Sequence, residues 1–529
     1  MGANLSNLPN KHFDLVVIGG GITGCGIARE ARLRGISVAL FEKGDFASGT
    51  SGKTSSLVHG GIRYLSQGAI GLVSEAVKER STLLKIAPHL VAPLPFLFPI
   101  YQGRSSKRIT VEIGMTLYDK LAGKNAMGAH RFLSPAQTKF LEPNLSSTGL
   151  QGAAFFWDAQ MDDARLCLST LLSAEKQGAE VYNYTEVVSL IRHGGKVCGV
   201  RIKEVSTGKE YEVDAGVVVN AAGAWVDTVC KMEGDASLHV RPTKGIHLVM
   251  PKVTEKHAIV LPGKEKGRIF FVMPWQNQTL LGTTDTDYVG SPDHVASDEE
   301  EVKSLISEAS EFLPIVGQEK ILGRFAALRP LVHSRWKSPL AISRKEKITW
   351  TKGGMLVVVG GKFTLFRKIA ERVVDAVLKA HPALFFSKRP ETEPFIDGAP
   401  SEPIHAYIRQ ESERKDLPLP VSTELLTHLI RTYGTNYQAV LECASSDPAL
   451  LKPITALGHP IMAEISYAIS HEHVLHLSDF MLRRTRLAHG RYQSNLPLIQ
   501  KIVKKMGEAL GWSSEQMLKE LQAYLAESS

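Results

Sequence analysis

The stretch from residue 14 to residue 42 constrains the fold more than any other part of the chain. The apolar run DLVVI at 14–18 leads straight into a glycine turn, Gly19-Gly20-Gly21-Ile22-Thr23-Gly24, and then into the helix-forming segment IAREARLR at 27–34. A short, unbroken apolar run is the pattern of a strand buried on both faces in a parallel sheet. Gly35 ends the helix, and SVALF at 37–41 makes a second strand closed by Glu42. In this G-x-G-x-x-G unit Gly19 permits the tight turn, Gly21 lets a pyrophosphate approach the backbone, and Gly24 lets helix and strand pack closely. The helix N-terminus offers free N–H groups and a positive dipole end to phosphates. Glu42 stands roughly 20 residues further on, where a carboxylate accepts from ribose hydroxyls. A glycine triplet alone also occurs in turns that hold no ligand. The complete strand–turn–helix–strand–Glu order reads as a dinucleotide site.

A chain of 529 residues exceeds what one core supports and divides into roughly two to four domains. Its formal net charge of +8 favours anionic partners such as phosphorylated substrates or anionic lipid. The basic residues are spread along the chain rather than gathered in a tail, which argues against nucleic acid. The five cysteines are scattered and never spaced C-x-x-C, so neither a disulfide framework nor a metal site is expected, and a reducing compartment fits. No run reaches the roughly 18 apolar residues of a transmembrane helix. The most membrane-like stretch is VAPLPFLFPIYQGRSSKR at 91–108, which sets Phe96, Leu97, Phe98, Ile100 and Tyr101 beside Arg104, Lys107 and Arg108. Such a segment can lie in a lipid interface, or equally be a buried loop that ends in a solvated charge run. The basic run around Arg483 to Arg486 is the second lipid-facing candidate.

Past Glu42, the run SGTSGKTSS at 48–56 contains a fragment of a phosphate loop, Gly52-Lys53-Thr54. The full pattern needs glycine at 47, where this chain has Ala47, so the fragment is a decoy. Its small residues and hydroxyls suit a backbone passing close to a flat ligand. A helix is expected from about 72 to 86, and another opens at MDDAR, 161–165. The run VVVNAAGAW at 217–225 is a buried strand entering a small-residue turn, and LVVVGGKFT at 356–364 repeats a strand, two glycines and a helix start. Residues 381–403 read as a linker, and 404–529 as helices.

These motifs together resemble the FAD-dependent glycerol-3-phosphate dehydrogenase family. The resemblance rests on the glycine turn, HGGIRY at 59–64, MDDAR at 161–165, KGIH at 244–247, GTTD at 282–285, LRPL at 328–331 and GGKFT at 360–364, in that order. EISYAI at 464–469 and DFMLRRTR at 479–486 look like the family's helical cap. One departure is Ser56, where the family is expected to carry lysine, with Lys53 nearby. The resemblance implies an α/β flavoprotein with a Rossmann-like FAD-binding domain, an interleaved antiparallel β substrate domain and an α-helical C-terminal cap. The FAD-binding part takes 12–90, 150–235 and 320–380, and the substrate part 91–149 and 236–319. It also implies peripheral attachment to the inner, cytoplasmic face of the cell membrane, with electrons passed to membrane quinone. A homodimer is one assembly it allows.

The resemblance further implies the site. Gly19, Gly21, Gly24 and Glu42 hold the adenosine diphosphate half of FAD, with Thr50, Ser51, Ser55 and Gly60 along the following segment. Val187, Ala222 and Gly223 complete one wall, and Gly360, Gly361, Lys362 and Thr364 another. Glycerol 3-phosphate is a small dianion with few apolar atoms, so cationic side chains must orient it. Arg63, Arg329, Arg344 and Lys362 are the candidates, with Tyr64 as a hydroxyl donor. Taking hydride from a secondary alcohol also needs a base for the hydroxyl proton. His247 is favoured, with His59 as rival, and Arg329 can stabilise the developing alkoxide. The competing readings are a glycerol-3-phosphate oxidase that makes hydrogen peroxide, an oxidoreductase of the amino-acid oxidase type, and a flavin-fold binding module without catalysis.

Overall fold

The computed structural model describes residues 5, 8, 11–103, 108–235, 237–265, 267–333, 345–382, 387 and 389–528. Two sheets and a helical C-terminal unit make up the chain. In the eight-stranded sheet, Glu180–Tyr182, Val38–Phe41, His12–Ile18, Glu210–Asn220 and Leu356–Val359 run parallel in that spatial order. Lys347–Trp350 adds an antiparallel edge, and the hairpin Thr185–His193 and Lys196–Glu204 pairs onto Glu210–Asn220. Alternation explains the unbroken apolar run: Leu15 and Val17 face one core, whereas Val16 and Ile18 face the other. The first core is covered by the helices Ile22–Leu33, Asp163–Lys176 and Phe366–Ala380. Leu15, Val16 and Val17 are all fully buried, each burial stabilising by about 1.5–3 kcal/mol.

The second sheet has ten strands and is built around the long pairs Val91–Tyr101 with Leu150–Met161, and Val240–Met250 with Gly323–Val332. The strands at 150–161 and 323–332, which the sequence groups with the nucleotide-binding part, are thus bonded into the second sheet. Hydrogen-bond partners far along the chain decide that membership, and no local pattern encodes it.

Of the two readings of the stretch at 91–108, the lipid-facing one fails: Val91–Tyr101 is an interior strand. Phe96, Leu97, Ile100 and Tyr101 are 1%, 0%, 2% and 3% exposed, so they cannot enter a bilayer. Pro93, Pro95 and Pro99 alternate, so their missing N–H groups all fall on one edge of the strand. Only Leu150–Met161 pairs along the strand's whole length, and Ala258–Pro262 meets it only at Phe96 and Leu97. Arg104 and Lys107 lie outside the described residues, and Arg108 opens the helix Arg108–Ala122.

Helices from Ile404–Ser412 to Ser514–Ser528 enclose a core of their own. Buried ion pairs fasten this unit to the rest: Arg484 meets Asp45 at 2.8 Å, Arg483 also reaches Asp45, Arg486 reaches Asp163, and Arg165 meets Glu472 at 2.8 Å. Arg483, Arg484 and Arg486 are 5%, 2% and 5% exposed, which removes the second lipid-facing candidate. Leaving one partner of such a pair unmatched costs about 3–5 kcal/mol. Within the stretch expected to be a linker, Glu393 meets Arg29 and Arg367 at 2.9 Å each.

Candidate active site

One cavity of about 1080 Å³ is lined from both sheets and from the C-terminal helices. Its first end is the glycine turn. Gly19 takes φ +109°, and a Cβ on Gly24 would stand 1.9 Å from the Gly19 carbonyl oxygen. These two glycines hold the backbone. A Cβ on Gly21 would meet only Ser51 Oγ, at 3.1 Å, so that glycine leaves open space at the helix N-terminus. Ser51 Oγ accepts from the Ile22 N–H at 2.9 Å. Glu42 accepts from the N–H groups of Gly20 and Gly44 at 2.7 and 2.9 Å, and it lines the cavity. Burial pushes its carboxyl above the usual range, although both N–H groups work against that.

The second end is built on the strands Val240–Met250 and Gly323–Val332, where Thr243 faces Arg329 and His247 faces Phe325. Arg329 donates to Thr283 Oγ1 at 2.9 Å and the Thr284 carbonyl at 3.0 Å, and meets Asp285 at 3.1 Å. Three residues of the GTTD run thus hold this guanidinium in place. Gly245 makes room for it, because a Cβ there would stand 2.3 Å from Arg329 Nη2. His247 is 3% exposed, stacks on Phe325 at 5.0 Å, and shares a 2.8 Å hydrogen bond between Nε2 and Ser55 Oγ. Its Nδ1 has no partner among the described residues. Burial, then Arg329, push its pKa down to about 3, so the ring is neutral at ordinary pH.

Beside this end lies a cationic cluster. Lys362 Nζ sits 3.7 Å from the Tyr64 ring centre and the Arg63 guanidinium 5.3 Å from it. Burial, then Lys362, Arg63 and Arg80, push the His59 pKa down to about 3. Arg80 is matched by the buried Asp158, so Arg63 and Lys362 are the cluster members that line the cavity and bring positive charge to it. The loop is propped from below by a buried network absent from any motif: Tyr118 OH donates to Asp158 at 2.9 Å, Arg80 pairs with Asp158, and the Gly60 N–H donates to Tyr118 Oη at 3.1 Å.

Most of the expected residues meet here. Gly19, Gly21, Glu42, Thr50, Ser51, Ser55, His59, Arg63 and Tyr64 line the cavity, as do Val187, Ala222, Gly223, His247, Arg329, Gly360, Gly361, Lys362 and Thr364. Gly24 and Gly60 do not line it: Gly24 is packed against Gly19, and Gly60 spends its N–H on Tyr118. Arg344 lies outside the described residues. Asp158, Phe325 and Lys53 also line the cavity, as does Glu527 from the last helix. Sequence reasoning gives none of these four a site role: Lys53 falls in the decoy phosphate loop, and no spacing ties Asp158, Phe325 and Glu527 to the motifs.

The family profile described as FAD dependent oxidoreductase matches residues 14–365, and the C-terminal domain of alpha-glycerophosphate oxidase matches 360–517. The chain is 34% identical over 523 residues to glycerol-3-phosphate dehydrogenase 2 of Mycobacterium tuberculosis, covering 98% of this chain and 88% of that protein. It is 35% identical over 545 residues to the mitochondrial glycerol-3-phosphate dehydrogenase of Homo sapiens, covering 98% and 74%. The solved structure of glycerol-3-phosphate dehydrogenase from Bacillus halodurans complexed with FAD matches with a TM-score of 0.78 at 28% identity, covering 99% of this chain and 96% of that one.

Proposed function

The chain belongs to the FAD-dependent glycerol-3-phosphate dehydrogenases, and we propose from that premise that this cavity oxidises sn-glycerol 3-phosphate to dihydroxyacetone phosphate. The cavity fits FAD: the space beside Gly21 takes the pyrophosphate, and Glu42 takes the ribose. When bound, FAD supplies the acceptor for the hydride that leaves the substrate's secondary carbon. One observation carries the reading. A single cavity joins a dinucleotide turn, a neutral buried histidine beside an arginine, and the cationic side chains Arg63 and Lys362 beside Tyr64.

In this reading Arg63, Tyr64 and Lys362 bind the phosphate, and the sequence assigns Arg344 the same role. His247 takes the hydroxyl proton, with Ser55 orienting its ring. Arg329 steadies the charge that develops on the substrate oxygen, and it is already oriented for this by Thr283 and Asp285. Anaerobic glycerol 3-phosphate should bleach the flavin band at roughly 450 nm. A flavin that stays yellow would overturn the reading.

The two arginines should separate by substrate. Arg63→Ala should lower kcat/KM for glycerol 3-phosphate by about 2–3 kcal/mol and hardly affect plain glycerol, because only the phosphate contact is lost. Arg329→Ala should slow both alcohols. Steady-state kinetics on both substrates check this, and equal losses for Arg63→Ala would mean that it does not read phosphate.

We further propose membrane quinone as the onward acceptor, with the chain held peripherally at the inner face of the cell membrane against anionic lipid. No described helix is long and apolar enough to cross a membrane. Support for peripheral contact comes from the helix Arg108–Ala122, where Ile109 and Ile113 are 67% and 66% exposed one turn apart, with Lys120 exposed on the same helix. Changing Ile109 and Ile113 to Ser should move the protein from sedimented anionic vesicles to the supernatant and leave dye-linked activity intact. Unchanged sedimentation would place the contact elsewhere. Oxygen is the second acceptor reading, because the C-terminal profile takes its name from an oxidase, and the yield of hydrogen peroxide per turnover separates the two.

A further inference from the structure

Part of the cavity wall comes from the last helix, Ser514–Ser528, most of which lies past residue 517, where the matched C-terminal profile ends. The helix is firmly seated. Tyr524 is fully buried and donates to the Gln493 carbonyl at 2.8 Å, while Glu520 accepts from the Leu477 N–H at 3.1 Å. Its last turn carries Glu527 to the cavity, where the carboxylate meets Arg483 at 3.3 Å.

Arg483 has other commitments, to Asp45 and Asp479. Lys53 has none: its side chain lines the cavity and makes no hydrogen bond or ion pair with a described residue. Burial lowers its pKa, Glu527 raises it again, and Arg483 lowers it. Burial works upward on Glu527, but Arg483, Ser478 and Lys53 outweigh it and hold the carboxyl below its usual range. An uncommitted cation thus faces the cavity, opposed by one carboxylate from the last helix.

The backbone around Lys53 is anchored on both sides. Ser51 is bonded to the helix N-terminus at the pyrophosphate end, and Ser55 is bonded to His247 at the reaction end. Lys53 is two residues from each of them and lines the same cavity.

We propose that Lys53 and Glu527 form an opposed charge pair that sets how strongly the bound flavin attracts electrons. The reduced ring carries negative charge, which Lys53 stabilises and Glu527 offsets through a partly buried, weakly screened space. The lysine of the decoy phosphate loop is therefore an electrostatic regulator of the cofactor, and the last helix trims its effect. This rests on FAD occupying the cavity as described above.

Sulfite titration of the holoenzyme tests the pair, because sulfite adds reversibly to oxidised flavin and leaves negative charge on the ring. Lys53→Met should weaken sulfite binding about tenfold, through loss of one unit charge acting at an effective dielectric near 20. Glu527→Gln should tighten it several-fold, and the double variant should return close to the parent value. Unchanged affinity in Glu527→Gln, or shifts of the same sign in both single variants, would overturn the proposal. If Lys53→Met loses its flavin, Glu527→Gln decides alone. The titration needs no turnover, so failure of the dehydrogenase reading would appear separately, as a flavin that titrates with sulfite and is not bleached by glycerol 3-phosphate.

Discussion

His247→Asn should lower kcat for glycerol 3-phosphate by about 10²–10⁴-fold, the usual loss when a positioned base is removed, with flavin content unchanged. Asparagine keeps a polar group near Ser55 and removes only the basic nitrogen. The geometry assigns the two ring nitrogens different tasks. Nε2 is engaged with Ser55 Oγ at 2.8 Å, whereas Nδ1 has no partner among the described residues. If Nε2–H donates to Ser55, the lone pair is left on Nδ1 for the substrate hydroxyl. The pH profile carries the second half of the result. Burial and Arg329 hold His247 near 3, below the ordinary 6.5, so the neutral form persists as pH falls through 6.5. The acid limb of kcat/KM should therefore lie well below pH 6, where an ordinary histidine would already have lost half its activity. Bound phosphate dianion also offsets the part of the depression that comes from positive charge. A variant within threefold of the parent kcat would hand the role to His59.

The parts of the fold that were legible in the sequence are those whose physics is local. The glycine turn reads correctly because strand, turn and helix are consecutive, and Gly24 answers to a contact with Gly19 within the same unit. The motifs around 59–64, 244–247, 282–285, 328–331 and 360–364 do meet in one cavity. Reading failed where the partner is distant. Arg483, Arg484 and Arg486 read as a lipid-facing basic run, but Asp45 and Asp163, more than 300 residues earlier, draw them inside. The stretch at 91–101 looks interfacial because its apolar residues are continuous, and covered faces on both sides of a sheet give the same pattern. Gly60 sits within a flavin-family motif, yet it is required because a Cβ there would stand 2.3 Å from Tyr118 Oη. Asp158, Tyr118 and Arg80 form one network from three separate elements, and no spacing could announce it.

Gly21→Val should yield a folded protein that purifies colourless, with FAD affinity reduced by more than about 100-fold, or about 3 kcal/mol. The backbone at Gly21 tolerates the change, since φ −78° and ψ 173° are ordinary for any residue. The protein interior tolerates it too, because a Cβ there meets only Ser51 Oγ at 3.1 Å. What the branched side chain fills is the space at the N-terminus of the helix Ile22–Leu33, where a pyrophosphate must come close to the backbone. Gly24→Ala supplies the contrast. Its Cβ would fall 1.9 Å from the Gly19 carbonyl, so it should damage the fold itself, lowering soluble yield and melting temperature. Absorbance of the purified protein and its thermal unfolding separate the two outcomes. A Gly21→Val protein that is yellow and fully loaded would sink the assignment of this turn to the pyrophosphate. A Gly21→Val protein that fails to fold, while Gly24→Ala folds normally, would reverse the roles given to the two glycines.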